Sequence, residues 1–244
     1  MPESLSPSAL MIDASAAPTE ALLASLARGV APQTIGAWGG YLGGWRSPAM
    51  ALTRASVDFL HARGIAVLPI YNNGWRFFGA GGGSMAGAQA ASALASLGAP
   101  MGTALVLDFE AAWLTEKGVD LRTWWLDFVR AVTGRRFTLW TYSTVEGFDA
   151  LQATGNVWVA AWRAPAAPDV GAGRTLMAWQ YQGEAFGDTA DLDRIRQSEL
   201  RAQDGLWLPP AKAADPPVAD PKLALTWLRT AEHAVSQARV ALGG

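Results

Sequence analysis

The chain has 244 residues, half of them hydrophobic and only 16% charged, with a formal net charge of -2. That is ample material for a core and too little positive charge for a dedicated nucleic-acid or anionic-membrane surface. Cysteine is absent and histidine occurs twice, which excludes disulfides, thiolate chemistry, multi-histidine zinc sites and histidine-based triads.

The N-terminal "MPESLSPSALMIDASAAP" has no basic segment leading into an apolar one, so it does not read as a signal peptide. The chain is expected in the cytoplasm as synthesised. The first strand is "LMIDAS", ending in Asp13, followed by the helix "TEALLASLARG". "TIGAWGGYLGGW" comes next, then "SPAMALTRASVDFLHARG", whose apolar spacing is helical up to Gly64. His61 lies in that helix, and His233 lies in a second helical stretch near the C-terminus.

"IAVLPIYNN" is a strand followed by the glycine-rich "GAGGGS" at Gly79–Ser84 and the alanine-rich helix "MAGAQAASALASLG". The glycine run lacks a Walker lysine-hydroxyl pair and dinucleotide-fold spacing, so it reads as a flexible loop or lid at a pocket. Trp75, Phe77 and Phe78 beside it either grip a ligand or cover the rim. The strand "TALVLDFE" precedes the helix "DLRTWWLDFVRAVTG". The strands "RFTLWTYST", "VWVAAWRA" and "TLMAWQYQG" complete the series.

Apolar strands alternating with helices predict a parallel sheet covered by helices. The expected fold class is α/β, a TIM-like (β/α) barrel of seven or so strands, possibly irregular, with a doubly wound open sheet as its competitor. Residues 1–208 form this barrel. Residues 209–221, "PPAKAADPPVADP", read as a Pro/Ala-rich linker, and residues 222–244 carry an amphipathic stripe that includes Leu223, Trp227, Leu228, Val235 and Leu242. That helix either packs on the barrel or serves self-association or partner docking.

The chemistry centres on Asp108 and Glu110. Two residues apart on a strand, they share a face, with Cα atoms ~7 Å apart. Strand C-terminal ends open on the mouth of a barrel, where active sites of this fold lie. Like charges held close raise the pKa of one partner, giving the protonated acid and ionised companion that glycoside hydrolysis uses. Asp13 reaches the same mouth, and Asp191 approaches it where the barrel closes. Trp38, Tyr41, Tyr71, Tyr142, Trp162 and Gln180 stand at strand ends as sugar-binding candidates, with Trp179 and Tyr181 flanking Gln180. The acids lack a loop of regularly spaced oxygen ligands, so no metal or other cofactor is assigned.

The succession "MIDAS", "GYLGG", "VLPIYNN", "LVLDFE", "LWTYST", "VWVAAW" and "AWQY" before "ADLD" resembles the glycoside-hydrolase-like domains related to family 25 lysozymes. "YLGG" and "ASALASLGAPMG" are most similar to a subgroup labelled a domain of unknown function. The resemblance spans roughly residues 9 to 208. It implies a (β/α) barrel that cleaves the β-1,4 link between N-acetylmuramic acid and N-acetylglucosamine in peptidoglycan. It implies Glu110 as general acid, Asp108 as its acidic companion, Asp13 as the first-strand acid and Asp191 as the acid after the last strand. The family usually carries Asn two residues after that last acid, where this chain has Asp193.

The resulting expectation is a muramidase-type glycosidase, of the kind a phage endolysin supplies, released to the wall through a separate pore. The substrate's own acetamido group could then act as nucleophile, so retention and inversion both stay open. The alternative is a catalytically silent carbohydrate-binding or assembly module on the same barrel.

Overall fold

A computed structural model describes residues 9–31, 33–43, 51–110, 119–161, 166–182, 190–195 and 205–210. The expected linker beyond Pro210 and the helix at 222–244 lie outside the described residues.

Eight strands close into a barrel in chain order. They are β1 (Ala9–Ala14), β2 (Thr34–Tyr41), β3 (Ala66–Tyr71), β4 (Ala104–Asp108), β5 (Thr138–Ser143), β6 (Gly155–Ala160), β7 (Arg174–Gln182) and β8 (Ala190–Ile195). The helices are α1 (Glu20–Val30), α2 (Arg54–His61), α3 (Gly82–Ser96), α4 (Leu121–Thr133) and α5 (Val145–Leu151). The α/β barrel expectation holds, and the open-sheet competitor does not.

β8 departs from the expected all-parallel sheet. It runs antiparallel to both β7 and β1 and supplies the last seam of the barrel. Its sequence, "ADLDRI", is too short and too charged to stand out as a strand. The structure keeps it extended because both edges are paired. The short α5 was likewise not anticipated.

Helix starts follow local chemistry. Thr19, Thr53, Asp120 and Thr144 each accept a hydrogen bond from a backbone N–H three residues on, capping α1, α2, α4 and α5. The Thr53 cap starts α2 well inside the stretch expected to be helical from Ser47.

The glycine run is a second correction. Gly79 and Gly81 take left-handed φ values of 154° and 72°, and α3 then begins at Gly82. A Cβ on Gly83 would lie 2.0 Å from the Trp124 carbonyl oxygen, and one on Gly87 would lie 2.8 Å from that of Phe128. These glycines let α3 press against α4, so Gly82 and Gly83 are packing residues and not a lid. Phe78 sits edge-on to Trp124 at 5.5 Å and Phe77 packs on the same cluster, so both cover the rim. The Trp75 side chain is outside the described residues.

Two cores result from the strand alternation. Leu105, Leu107, Phe109, Val157 and Val159 face the helices. Met11, Leu68, Ile70, Val106, Trp140 and Trp158 fill the barrel. Small residues at Ala37, Ala66, Ala104 and Ala178 leave room for the two indoles. At the N-terminal end of the strands, Leu206 joins the interior core and Trp207 exchanges backbone hydrogen bonds with Val67. That segment closes the barrel floor and leaves the C-terminal end as its opening.

Candidate active site

Inward alternation at the C-terminal ends of the parallel strands and in the first half of antiparallel β8 gathers five acids. The Asp13 and Asp191 Cα positions are register partners across the β1–β8 seam, and Asp193 pairs with Met11 one step deeper. Asp108 ends β4. The chain stays extended beyond it because Phe109 N–H donates to the Tyr142 carbonyl at 2.9 Å and the Phe109 carbonyl accepts from the Ser143 hydroxyl at 2.8 Å. Phe109 thus points to the helices, while Asp108 and Glu110 point inward and bond to one another.

Asp13, Asp108 and Asp193 are buried, whereas Glu110 and Asp191 are half-exposed. Burial holds Asp108 well above the ordinary carboxylate range, reinforced by the Glu110 and Asp13 charges and by donation of its proton to Glu110. Glu110 is raised by burial and pulled back in part by accepting that proton. Asp13 is raised by burial and then by Asp191, and Asp193 by burial, Asp13 and Asp191. Desolvated carboxyls this close cannot all ionise, so the cluster retains protons at pH values where separate carboxyls would have lost them.

Neutral donors fix the acids in place. Tyr41 donates to Asp13 at 3.3 Å, and Trp158 to Asp193 at 3.0 Å. Tyr142 donates to Gln180 Oε1 at 2.8 Å, and Gln180 Nε2 donates to Asp191 at 2.8 Å. Burial and the neighbouring acids raise both phenols well above their usual range, so they remain donors. Gly39 opposite Asp13 keeps this wall low, since a Cβ there would lie 3.0 Å from Ile70 Cδ1.

Among the described residues, seven buried side-chain polar atoms lack a hydrogen-bond partner, and five of them are on Asp13, Asn72, Asp108, Trp140 and Asp193. All five are inward positions of the barrel. An interior seldom tolerates such groups, and those on Asp13, Asn72 and Asp108 stand at the C-terminal ends of their strands, which marks that end as prepared for something polar.

A family model described as the Rv2525c-like glycoside hydrolase-like domain matches residues 32–200, more than half of the chain. The chain belongs to that family. Among curated proteins, none matches the sequence. Of solved structures, an uncharacterized B. stearothermophilus protein superposes with a TM-score of 0.65 at 21% identity, over 81% of this chain and 99% of that one. The catalytic domain of endolysin ply40 from bacteriophage P40 of Listeria monocytogenes gives 0.56 at 16%, over 81% and 97%. The Mycobacterium tuberculosis Tat-secreted protein Rv2525c, in complex with HEPES, gives 0.53 at 15%, over 81% and 98%. At these identities the likeness is one of fold.

Of the expected residues, the structure brings together Asp13, Asp108, Glu110, Asp191, Tyr41, Tyr142 and Gln180. Two do not reach the mouth. Trp38 belongs to the outer, helix-facing core. Tyr71 lies in that same layer and donates to Gln89 of α3 at 2.6 Å. Strand alternation is the reason: Gly39 and Ile70 take the inward positions, so Trp38 and Tyr71 fall outward. Trp179 is also in the outer layer, and Trp162 lies outside the described residues. Trp158 and Asn72 also belong to the site without standing out in the sequence, where Asp193 is only a departure from the family pattern. The two-residue spacing of Asp191 and Asp193 would have placed both on one face had "ADLD" been read as a strand.

Proposed function

We propose that the chain is a glycoside hydrolase acting on the glycan strands of bacterial peptidoglycan, a muramidase-type activity. The observation that carries this reading is the proton-sharing Asp108–Glu110 pair, buried on one side and open to the barrel mouth on the other, facing Asp13 and Asp191. The family membership and the likeness of the barrel to an endolysin catalytic domain support it.

Glu110 is the half-exposed member of the pair and so the one able to meet a substrate. In the proposed reaction the proton held by Asp108 moves to Glu110, and Glu110 gives it to the departing glycosidic oxygen as the bond from that oxygen to the anomeric carbon breaks. Asp191 and the charge left on the Asp108–Glu110 pair stabilise the positive charge that develops on the sugar ring. Water supplies the oxygen that ends on the anomeric carbon, and its proton restores the pair. Tyr41, Tyr142 and Gln180 line the approach and hold Asp13 and Asp191 in orientation. With a wall glycan as substrate, the protein works outside the cytoplasm, by export or by release through a pore.

Purified protein incubated with peptidoglycan is expected to release reducing ends, and Glu110→Gln of unchanged fold to lose at least roughly 10²-fold in rate, the scale of general acid catalysis. Retention of glycan without release from several wall chemistries would instead establish the silent binding module.

A further inference from the structure

Asn72 is 6% exposed, and its buried side-chain carbonyl oxygen has no hydrogen-bond partner. It follows directly on β3, where Ala66, Leu68 and Ile70 face the barrel interior and Val67 and Tyr71 face the helices. Alternation therefore turns Asn72 inward. The β3–β4 register pairs Ile70 with Val106 and Tyr71 with Leu107, and Asn72 and Asp108 are the next residues along the two chains. No role in the proposed acid chemistry uses it, since an amide neither holds nor releases a proton near neutral pH.

We infer that Asn72 is a substrate-binding residue whose amide pairs with the acetamido group of an N-acetylated sugar next to the Asp108–Glu110 pair. This rests on the glycan reading above. A side-chain amide has one accepting and one donating edge, and an acetamido group presents the complement of both. A donor entering the mouth satisfies the carbonyl that the fold leaves unpaired, with a turn of the amide about its last side-chain bond bringing that edge to the ligand. A sugar bearing a free amine can donate to that carbonyl but offers no acceptor to the amide N–H groups, so it makes one bond with Asn72 where the acetamido group makes two.

The test uses the full chain carrying Glu110→Gln, so that nothing is turned over. Binding of a soluble N-acetylmuramyl–N-acetylglucosamine tetrasaccharide is compared with that of its de-N-acetylated counterpart, with Asn72 intact and as Asn72→Ala and Asn72→Leu. Both variants are expected to weaken the N-acetylated ligand roughly tenfold, the scale of one lost hydrogen bond, and the de-N-acetylated one by a smaller factor. Asn72→Leu, near in volume and without polar atoms, is expected to keep or raise the melting temperature of the free protein. A carbonyl bonded within the fold would lower it on that substitution, and such a fall would overturn the inference. So would equal affinities for the N-acetylated ligand with and without Asn72. Absence of binding to either glycan by the chain with Asn72 intact would overturn the glycan reading itself.

Discussion

At the scale of single residues, the acids set the balance between stability and chemistry. Asp193 is fully buried, accepts from Trp158 and is held well above the usual carboxylate range by burial and by Asp13 and Asp191. Above the ordinary aspartate value of 3.8 the unfolded chain has released this proton while the folded chain retains it. Stability therefore falls as pH rises from that value until the folded-state titration is passed. Asp13 and Asp108 act with the same sign. The melting temperature is expected to be higher in mild acid than at neutral pH. Asp193→Asn keeps an acceptor for Trp158 and removes the titration, so it should flatten this slope. It should also raise the neutral-pH melting temperature by a few degrees, at roughly 2–4 °C per kcal/mol for a chain of this size. A melting series from pH 4 to 8 on both proteins checks this, and an unchanged slope would refute it. Activity should follow a different proton, the one on the Asp108–Glu110 pair, and decline toward alkaline pH as that pair loses it.

Among elements, the pairing of α3 with α4 depends on what is missing from Gly83 and Gly87. Alanine is the better helix former by about 1 kcal/mol. At Gly83, however, its methyl group would have to displace a backbone carbonyl that stands 2.0 Å from the Cβ position. Backbone cannot rotate aside as a side chain can, so the clash prevails. Gly83→Ala is expected to cost about 3 kcal/mol, roughly 6–12 °C in melting temperature, measurable by calorimetry. Most elements were legible in the sequence, because apolar runs with threonine, aspartate or glycine at their ends carry their own start and stop signals. Asp108 and Glu110 could be placed on one face for the same reason, the two-residue period of a strand. β8 was not legible, since "ADLDRI" gains its strand character from β7 and β1, distant in sequence. The inward or outward sense of Trp38 and Tyr71 was not legible either, because alternation fixes which residues share a face but not which face meets the interior.

Over the whole molecule, the barrel is closed at one end and open at the other. Leu206 is 6% exposed within the interior core at the N-terminal ends of the strands, and Val67 and Trp207 tie its segment across that end. Leu206→Ala is expected to cost about 2–5 kcal/mol as a buried truncation, without altering the residues at the opposite mouth. Chemical denaturation should show the loss, and its absence would mean that this segment does not seal the barrel. We propose that the barrel ends with this segment, near residue 208. A chain terminated at Pro210 should then melt with the full chain, whereas one terminated at Asp204 should melt lower.

The sequence by itself determined the class of fold, the order of most elements and the presence of closely spaced carboxyls in a chain with few charges. These follow from local periodicity and residue chemistry, which need no knowledge of neighbours. Tertiary structure alone decided that Asp13, Asp108, Glu110, Asp191 and Asp193 meet, that Trp38 and Tyr71 turn away, and that the glycine run is a helix contact. Each depends on strands and helices far apart in the chain being brought side by side. Burial, the largest cause of the raised carboxyl pKa values, likewise exists only once the barrel has closed around them.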